Sequence, residues 1–159
     1  MSGTAAGACA PTTPAPASSH RTNSSRTKAR RRAVEVLFEA DQRSLSPREL
    51  ADQRFGAADG STPSLAYACT MLHGTTDHLD EIDEWLASFS QGWRPNRMPA
   101  VDKAILRAGV WEIVWADDVP DEVTMKDMTD LAASLSTDES PRFINGLLGA
   151  ISRLKASLI

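Results

Sequence analysis

Apolar residues recur three and four positions apart along most of this chain, and that spacing constrains its fold more than any other feature. Between residues 28 and 43, for example, the apolar positions include Ala33, Val36, Leu37 and Ala40. Such spacing places side chains on one face of an α-helix. No segment alternates apolar and polar residues for long, as a half-buried β-strand would. The sequence therefore predicts an all-α fold.

Serine–proline pairs and loop-forming residues mark where the other predicted helices begin and end. Ser46-Pro47 and Ser140-Pro141 each have the pattern of an N-cap followed by the first helical residue. Another helical segment follows Pro63, with Ser64 as its predicted cap, and is expected to bend or split near Gly74. Further helices are predicted over residues 100–115 and 124–135, and residues 55–62 and 90–99 are connections.

The charge of the chain is divided between a basic arm and an acidic remainder. Six of the 17 Lys and Arg residues lie within the first 32 positions, where none of the 21 Asp and Glu residues occurs. The net charge of −4 hides this division. A basic arm favours a polyanionic partner, most simply nucleic acid. A solvated tail that only aids solubility is the alternative.

Residues 1–24 are interpreted as a disordered tail rich in Ala, Thr, Ser and Pro, ahead of one helical domain over residues 25–157. The tail lacks the features of a signal peptide, and no apolar run approaches the roughly 18 residues that a membrane span needs. Cys9 in the tail and Cys69 in a helical pattern make a poor disulfide framework. We therefore expect a cytoplasmic protein.

Candidate catalytic and metal-binding patterns are weak. Cys69 and His73 could share a helix face, but His78 lies about 140° around the axis from His73, and a metal ion would need a further ligand. A core cysteine and surface histidines are favoured instead. The sequence has no glycine-rich phosphate loop and no nucleophile elbow. We expect no enzymatic activity, no cofactor and no metal ion.

Tryptophans are the residues most suited to stack on unpaired bases, although most tryptophans in a helical domain belong to its core. The four are Trp85, Trp93, Trp111 and Trp115. Acidic residues at positions 80, 81, 83 and 84 surround Trp85 in sequence, and they argue against RNA contact there on charge grounds.

Three blocks of sequence are specific in combination and order. They are KARRRAVEVLF at residues 28–38, RMPAVDKAILR at residues 97–107, and LSTDESPRFINGLL at residues 135–148. Val110-Trp111-Glu112 and Asp118-Val119-Pro120 follow the second block. Together they resemble the NusB family of bacterial transcription antitermination factors over about residues 25–153, and the surrounding sequence is similar to actinobacterial members.

This resemblance implies two three-helix bundles packed together and a function without catalysis. Members of the family bind boxA RNA together with NusE, the free form of a small-subunit ribosomal protein. They help to assemble an antitermination complex on RNA polymerase during ribosomal RNA synthesis. The acidic body of this chain would suit a basic ribosomal protein.

The resemblance also implies which residues bind each partner. RNA contacts would come from the arm, from an aromatic residue near the third helix and from the turn before the last helix, matching Arg26, Lys28, Arg30, Arg31, Trp85, Glu139, Arg142 and Phe143. The NusE surface would include Phe38, Asp102, Arg107 and Glu112. Arg30 and Arg31 are both expected at a solvated helix start. Asn145 is expected to cap buried backbone groups, and Gly146 to permit close helix packing.

Two other functions remain open from the sequence. Some ribosomal RNA cytosine methyltransferases carry a similar domain ahead of their catalytic domain, but no segment for the methyl donor follows in this sequence. A helical module that self-associates through its apolar helices is the second alternative, and a homodimer of this kind could hide the RNA face.

Overall fold

The computed structural model describes residues 19–56, 62–90 and 97–158, with side chains from Ser25 onward. In these ranges it contains seven α-helices and no strand, which confirms the predicted all-α fold. The helices are α1 (Ser19–Arg43), α2 (Pro47–Phe55), α3 (Pro63–Asp77), α4 (Leu79–Phe89), α5 (Ala100–Trp115), α6 (Asp121–Leu135) and α7 (Ser140–Leu158). None of these described helices combines the length and the apolar composition needed to cross a bilayer.

The helices form two compact units, residues 1–76 and residues 77–159. The first unit contains α1, α2 and α3 up to Thr76, and the second contains α4 to α7. The long segment predicted after Pro63 splits at His78 into α3 and α4, so the expected bend or split occurs as a split, four residues beyond Gly74.

Helix α1 begins well before residue 28, where the helical pattern was predicted to start. It extends back to Ser19, so residues 19–24 are helical and the interpretation of residues 1–24 as a disordered tail is wrong for that stretch. The sequence contains no Pro or Gly between Pro16 and the arm, so nothing stops the helix from propagating backward. Residues 1–18 lie outside the described part.

The corner between α1 and α2 follows from local sequence. Ser44 adopts a φ of 54°, the left-handed conformation that commonly ends a helix. The Leu45 N–H then donates to the Ala40 carbonyl at 2.8 Å. Ser46 caps α2 as predicted, because its Oγ accepts from the Glu49 N–H at 3.5 Å.

The caps of α3 and α7 differ from the predicted ones. Thr62 rather than Ser64 caps α3, since the Thr62 Oγ1 accepts from the Leu65 N–H at 3.3 Å. Ser140 is already helical, and its hydroxyl donates to Asp102 at 2.9 Å instead of accepting from the first turn. A serine next to a proline indicates the start of a helix. Whether its hydroxyl caps the first turn or donates elsewhere depends on which acceptors lie nearby.

Cys69 is buried in α3 and is disulfide-bonded. The interpretation of the two cysteines as a poor disulfide framework is therefore contradicted at this residue. Their spacing in the sequence does not report whether two sulfur atoms meet, which is a property of the tertiary structure. Cys9, the other cysteine, lies outside the described residues.

Helix α5 is the centre of the second unit. It packs against α4, α6 and α7, so eleven of its sixteen residues are buried. Gly109 allows α7 to approach closely, because a Cβ at this position would lie 3.0 Å from Cδ1 of Leu148. The ends of α6 and α7 are joined by Asp121, which accepts from the Ser152 Oγ at 2.6 Å and from the Lys155 Nζ at 2.9 Å.

An exposed ion-pair cluster joins α1 to α2 and should make stability depend on pH. Glu39 accepts from Arg54 at 2.5 Å and from Arg43 at 2.6 Å, and these hydrogen bonds, with Arg54 the stronger cause, lower the pKa of Glu39. A lowered folded-state pKa contributes stability above the unfolded-state pKa, and that contribution is lost as pH falls through the folded-state pKa. We expect Glu39→Gln to flatten the acid side of a plot of unfolding free energy against pH, as measured by urea denaturation. An unaltered acid slope would contradict this role.

Candidate nucleic-acid interface

One face of α1 carries a group of exposed cations. Lys28, Arg31 and Arg32 are exposed, and their spacing of three and four residues places them on the same side of the helix. The side chain of Arg31 is 50% exposed and pairs with Glu35 at 3.4 Å. We call Lys28, Arg31 and Arg32 the α1 basic face. Arg32 was not among the predicted site residues, although it belongs to the same arginine run.

Arg26 lies at the edge of this region in a more restricted position. It is half-buried, and its guanidinium carbon lies 4.4 Å from the centroid of the Tyr67 ring. This distance is typical of a cation–π interaction. Arg26 therefore contributes to the packing of α1 on α3 while keeping part of its side chain accessible.

Arg30 does not lie on the exposed side of α1. Its relative exposure is 1%, so the expectation that it sits at a solvated helix start is wrong. Position 30 precedes the buried residues Ala33, Val34 and Leu37 by three, four and seven residues, which places it on the core face. The helical spacing alone therefore indicates a buried position for residue 30. The prediction of a solvated position followed instead from the positive charge of arginine.

A cavity of about 910 Å³ lies in the second unit, where α4 ends, α5 begins and α7 runs past both. Glu139, Arg142 and Phe143, the predicted RNA contacts before the last helix, all line it. Glu139 and Arg142 are exposed and Phe143 is half-buried. The structure also places Phe89 and Arg153 on the cavity wall. Both were missed from sequence, because they are distant in the chain from the motif.

A buried carboxylate supports one wall of this cavity. Asp102 is 2% exposed, and it accepts from the Ser136 Oγ at 2.6 Å and from the Ser140 Oγ at 2.9 Å. It therefore ties the first turn of α5 to both ends of the turn that holds Glu139. Both carboxylate oxygens of Asp102 are thus engaged inside the unit, at a position with little exposed surface.

The remaining residues predicted to bind NusE are also largely engaged within the chain. Glu112 is fully buried and accepts from the Thr124 Oγ1 at 2.6 Å. Arg107, with a side chain 11% exposed, donates to both carboxylate oxygens of Asp83, at 2.9 and 2.7 Å. Phe38 is half-buried. Of the four predicted NusE contacts, Asp102 and Glu112 are therefore buried. Phe38 and Arg107 keep some accessible surface.

Trp85 takes part in a stack of three rings in the second unit. Its ring centroid lies 5.5 Å from that of Trp115, whose other neighbour is His78 at 3.9 Å. Trp85 is half-buried, so part of its surface remains accessible for stacking on a base. Trp111 is buried, and Trp93 lies outside the described residues.

His73 and His78 each lie close to a carboxylate. His73 lies 3.2 Å from Asp52, and Nδ1 of His78 lies 2.8 Å from Glu81. Over the described ranges, no group of three or more His, Cys, Asp or Glu side chains is placed to hold a metal ion.

The chain is similar to known proteins in both sequence and structure. A family model described as the NusB family matches residues 27–153. The transcription antitermination protein NusB of Kineococcus radiotolerans is 50% identical over 133 residues, covering 84% of this chain and 96% of that protein. The NusB of Nocardioides sp. is 48% identical over 135 residues, covering 85% and 98%. A crystal structure of the antitermination factors NusB and NusE with double-stranded RNA contains a chain 25% identical, with a TM-score of 0.71, covering 82% of this chain and 97% of that one.

Proposed function

The chain belongs to the NusB family, and on that premise we propose that it is a transcription antitermination factor that binds boxA RNA together with NusE. The observation that carries this proposal is the identity of about half of the aligned residues to proteins named for antitermination, over most of both chains. The related structure that holds NusB, NusE and RNA supports the same pair of partners for this chain.

The α1 basic face supports a role in RNA attraction. Cations on one side of a helix can neutralise successive phosphates without sequence preference. This attraction to phosphates comes from Lys28, Arg31 and Arg32, and Arg26 adds to it from its partly accessible position. Sequence preference then has to come from unpaired bases, read by stacking and by contacts to their edges. Trp85, Glu139, Arg142 and Phe143 have side-chain types suited to those contacts.

The wider role follows from the same membership. The protein would act without catalysis, in the cytoplasm, as a component of an antitermination complex on RNA polymerase that forms on ribosomal RNA transcripts. NusE would bring a basic protein surface to this acidic chain and enlarge the surface offered to RNA. Phe38 and Arg107 are the predicted NusE contacts that keep some accessible surface.

Fluorescence anisotropy of a labelled boxA-like RNA tests this function. We expect the protein to prefer that RNA to a scrambled control, and NusE to raise the affinity further. Raising the salt concentration should weaken the binding of both RNAs. The slope of log affinity against log salt should be about −0.7 for each phosphate neutralised on a single strand. Equal binding of the two RNAs, abolished by salt and unaffected by NusE, would reject the proposal.

Two alternatives are separated by measurements on the same sample. Sedimentation over a range of concentrations detects a self-associating module, and RNA that dissociates a dimer would show that the dimer hides the RNA face. A methyltransferase-type domain would bind ribosomal RNA without any gain from NusE.

A further inference from the structure

The three stacked rings of the second unit, His78, Trp115 and Trp85, reach the molecular surface. The ring of Trp115 has the His78 and Trp85 centroids at 3.9 and 5.5 Å. All three side chains are half-buried, so each keeps part of its surface accessible. Partly exposed aromatic rings are enriched in protein interfaces, because a partner can cover their flat apolar faces. We call these three residues the aromatic stack.

The aromatic stack lies at the opposite end of α5 from the cavity of the second unit. Trp115 is the last residue of α5, whereas Asp102, on the cavity wall, belongs to its first turn. At a rise of about 1.5 Å per residue, the two positions are roughly 20 Å apart along the helix axis. A ligand on the stack would therefore occupy a surface separate from the cavity and from the predicted NusE contact at Asp102.

The surroundings of the aromatic stack are strongly acidic. Residues 77–90 and 111–122 contain ten Asp and Glu residues and no Lys or Arg. Glu112 is buried, and Asp83 and Asp121 form ion pairs within the unit. The other seven are exposed: Asp77, Asp80, Glu81, Glu84, Asp117, Asp118 and Glu122. A field of this sign repels phosphates and attracts cations.

Glu81 places one of these carboxylates at the edge of the aromatic stack. Its Oε1 lies 2.8 Å from Nδ1 of His78, whose ring stacks on Trp115. Glu81 is also four residues before Trp85 on α4, so the two side chains are neighbours on one face of the helix. The side chain of Glu81 is 52% exposed. A guanidinium group can stack on an aromatic ring and donate to a carboxylate at the same time, so this pair of groups suits an arginine.

We propose that the aromatic stack binds an arginine-containing segment of a partner protein other than NusE. One guanidinium lies on the accessible part of Trp85 and donates to Glu81, and further basic residues of the segment face the exposed carboxylates nearby. Charge complementarity selects this occupant, since an RNA strand would bring phosphates against seven exposed carboxylates. The inference goes beyond the proposed function, because it adds a protein partner and assigns Trp85 to that partner instead of RNA.

A labelled peptide of alternating arginine and glycine residues, titrated with the protein and followed by fluorescence anisotropy, tests this inference. It should bind more tightly than a peptide with lysine in place of every arginine, because guanidinium is the better partner for an aromatic ring. Trp85→Leu should weaken binding of the arginine peptide by roughly 2- to 30-fold, the range of a cation–π interaction. Trp85→Phe keeps a ring and should recover part of that affinity. Urea unfolding of both variants shows that the loss does not come from misfolding.

Glu81→Gln and Asp138→Asn are a matched pair of variants. Each removes one negative charge from an exposed side chain, but Asp138 lies between α6 and α7, away from the aromatic stack. Glu81→Gln should lower the affinity for the arginine peptide by roughly two- to fivefold, and Asp138→Asn by less than about 1.5-fold. Equal losses in the two variants would show a general attraction between charges and would overturn the inference.

Competition experiments separate this partner from those of the proposed function. If NusE displaces the peptide and Trp85→Leu lowers the affinity for NusE, the aromatic stack belongs to the NusE surface and the inference fails. If Trp85→Leu binds the peptide normally but loses affinity for boxA RNA, the stack is an RNA contact, and the inference fails while the proposed function stands. Glu81→Gln should bind boxA RNA as the unmodified protein does. Failure of the unmodified protein to bind boxA RNA would reject the proposed function, whereas the peptide titrations would still decide this inference.

Discussion

Replacing Arg30 with alanine should destabilise the protein by about 2–4 kcal/mol, whereas replacing its neighbour Arg31 should change stability by less than about 0.5 kcal/mol. Arg30 is among the largest fully buried side chains, and it interacts within the chain. Its removal leaves a cavity and deprives the groups that it contacts of their partner. Arg31 is half exposed, and its pair with Glu35 is of the surface type that contributes little.

Urea denaturation of the two variants, followed by RNA titration, measures the contrast. Arg31→Ala should remain folded and lose RNA affinity in a salt-dependent way. Arg30→Met keeps much of the side-chain volume, so it should recover part of the stability that Arg30→Ala loses. If Arg30→Ala were as stable as the unmodified protein and lost RNA affinity as Arg31→Ala does, Arg30 would have to face the solvent.

Removing the Asp102 carboxylate should have an effect of similar size, although this residue was predicted to lie on the NusE surface. Asp102→Ala should cost about 2–4 kcal/mol of stability, because it removes a buried carboxylate that accepts hydrogen bonds from both Ser136 and Ser140. Asp102→Asn keeps one oxygen as an acceptor, so its stability should lie between that of the unmodified protein and that of Asp102→Ala. Asp130→Ala, at an exposed carboxylate on α6, is the control and should change stability by less than about 1 kcal/mol.

The same substitution should also disturb residues that we propose to bind RNA. Asp102 holds the turn that carries Glu139 and the start of α7 with Arg142, so a loosened turn should weaken boxA RNA binding. Thermal unfolding and titrations with RNA and with NusE, carried out on the same preparations, measure these effects. Unchanged stability combined with a selective loss of NusE affinity would show instead that Asp102 contacts NusE directly.

The helices were largely predictable because their signals are local. The segment over residues 100–115 was predicted with the ends observed for α5, since proline precedes it and the break before Pro120 follows it. The Ser46 cap follows from the adjacent pair Ser46-Pro47. The burial of Arg30 was also present in the spacing to Ala33 and Leu37, because a helix repeats its faces every three to four residues.

The sequence by itself thus determined the helical class, most helix boundaries, the basic character of α1 and the family resemblance. Only the tertiary structure decided that Asp102 and Glu112 are interior residues, because their partners Ser140 and Thr124 lie 38 and 12 positions away in the chain. It also decided that Arg153 shares a cavity with Phe89, and that no described residue lies within 4 Å of a Cβ at Gly146, where close helix packing was expected. Local spacing specifies which face of a helix a residue occupies, but what that face meets depends on how distant segments pack.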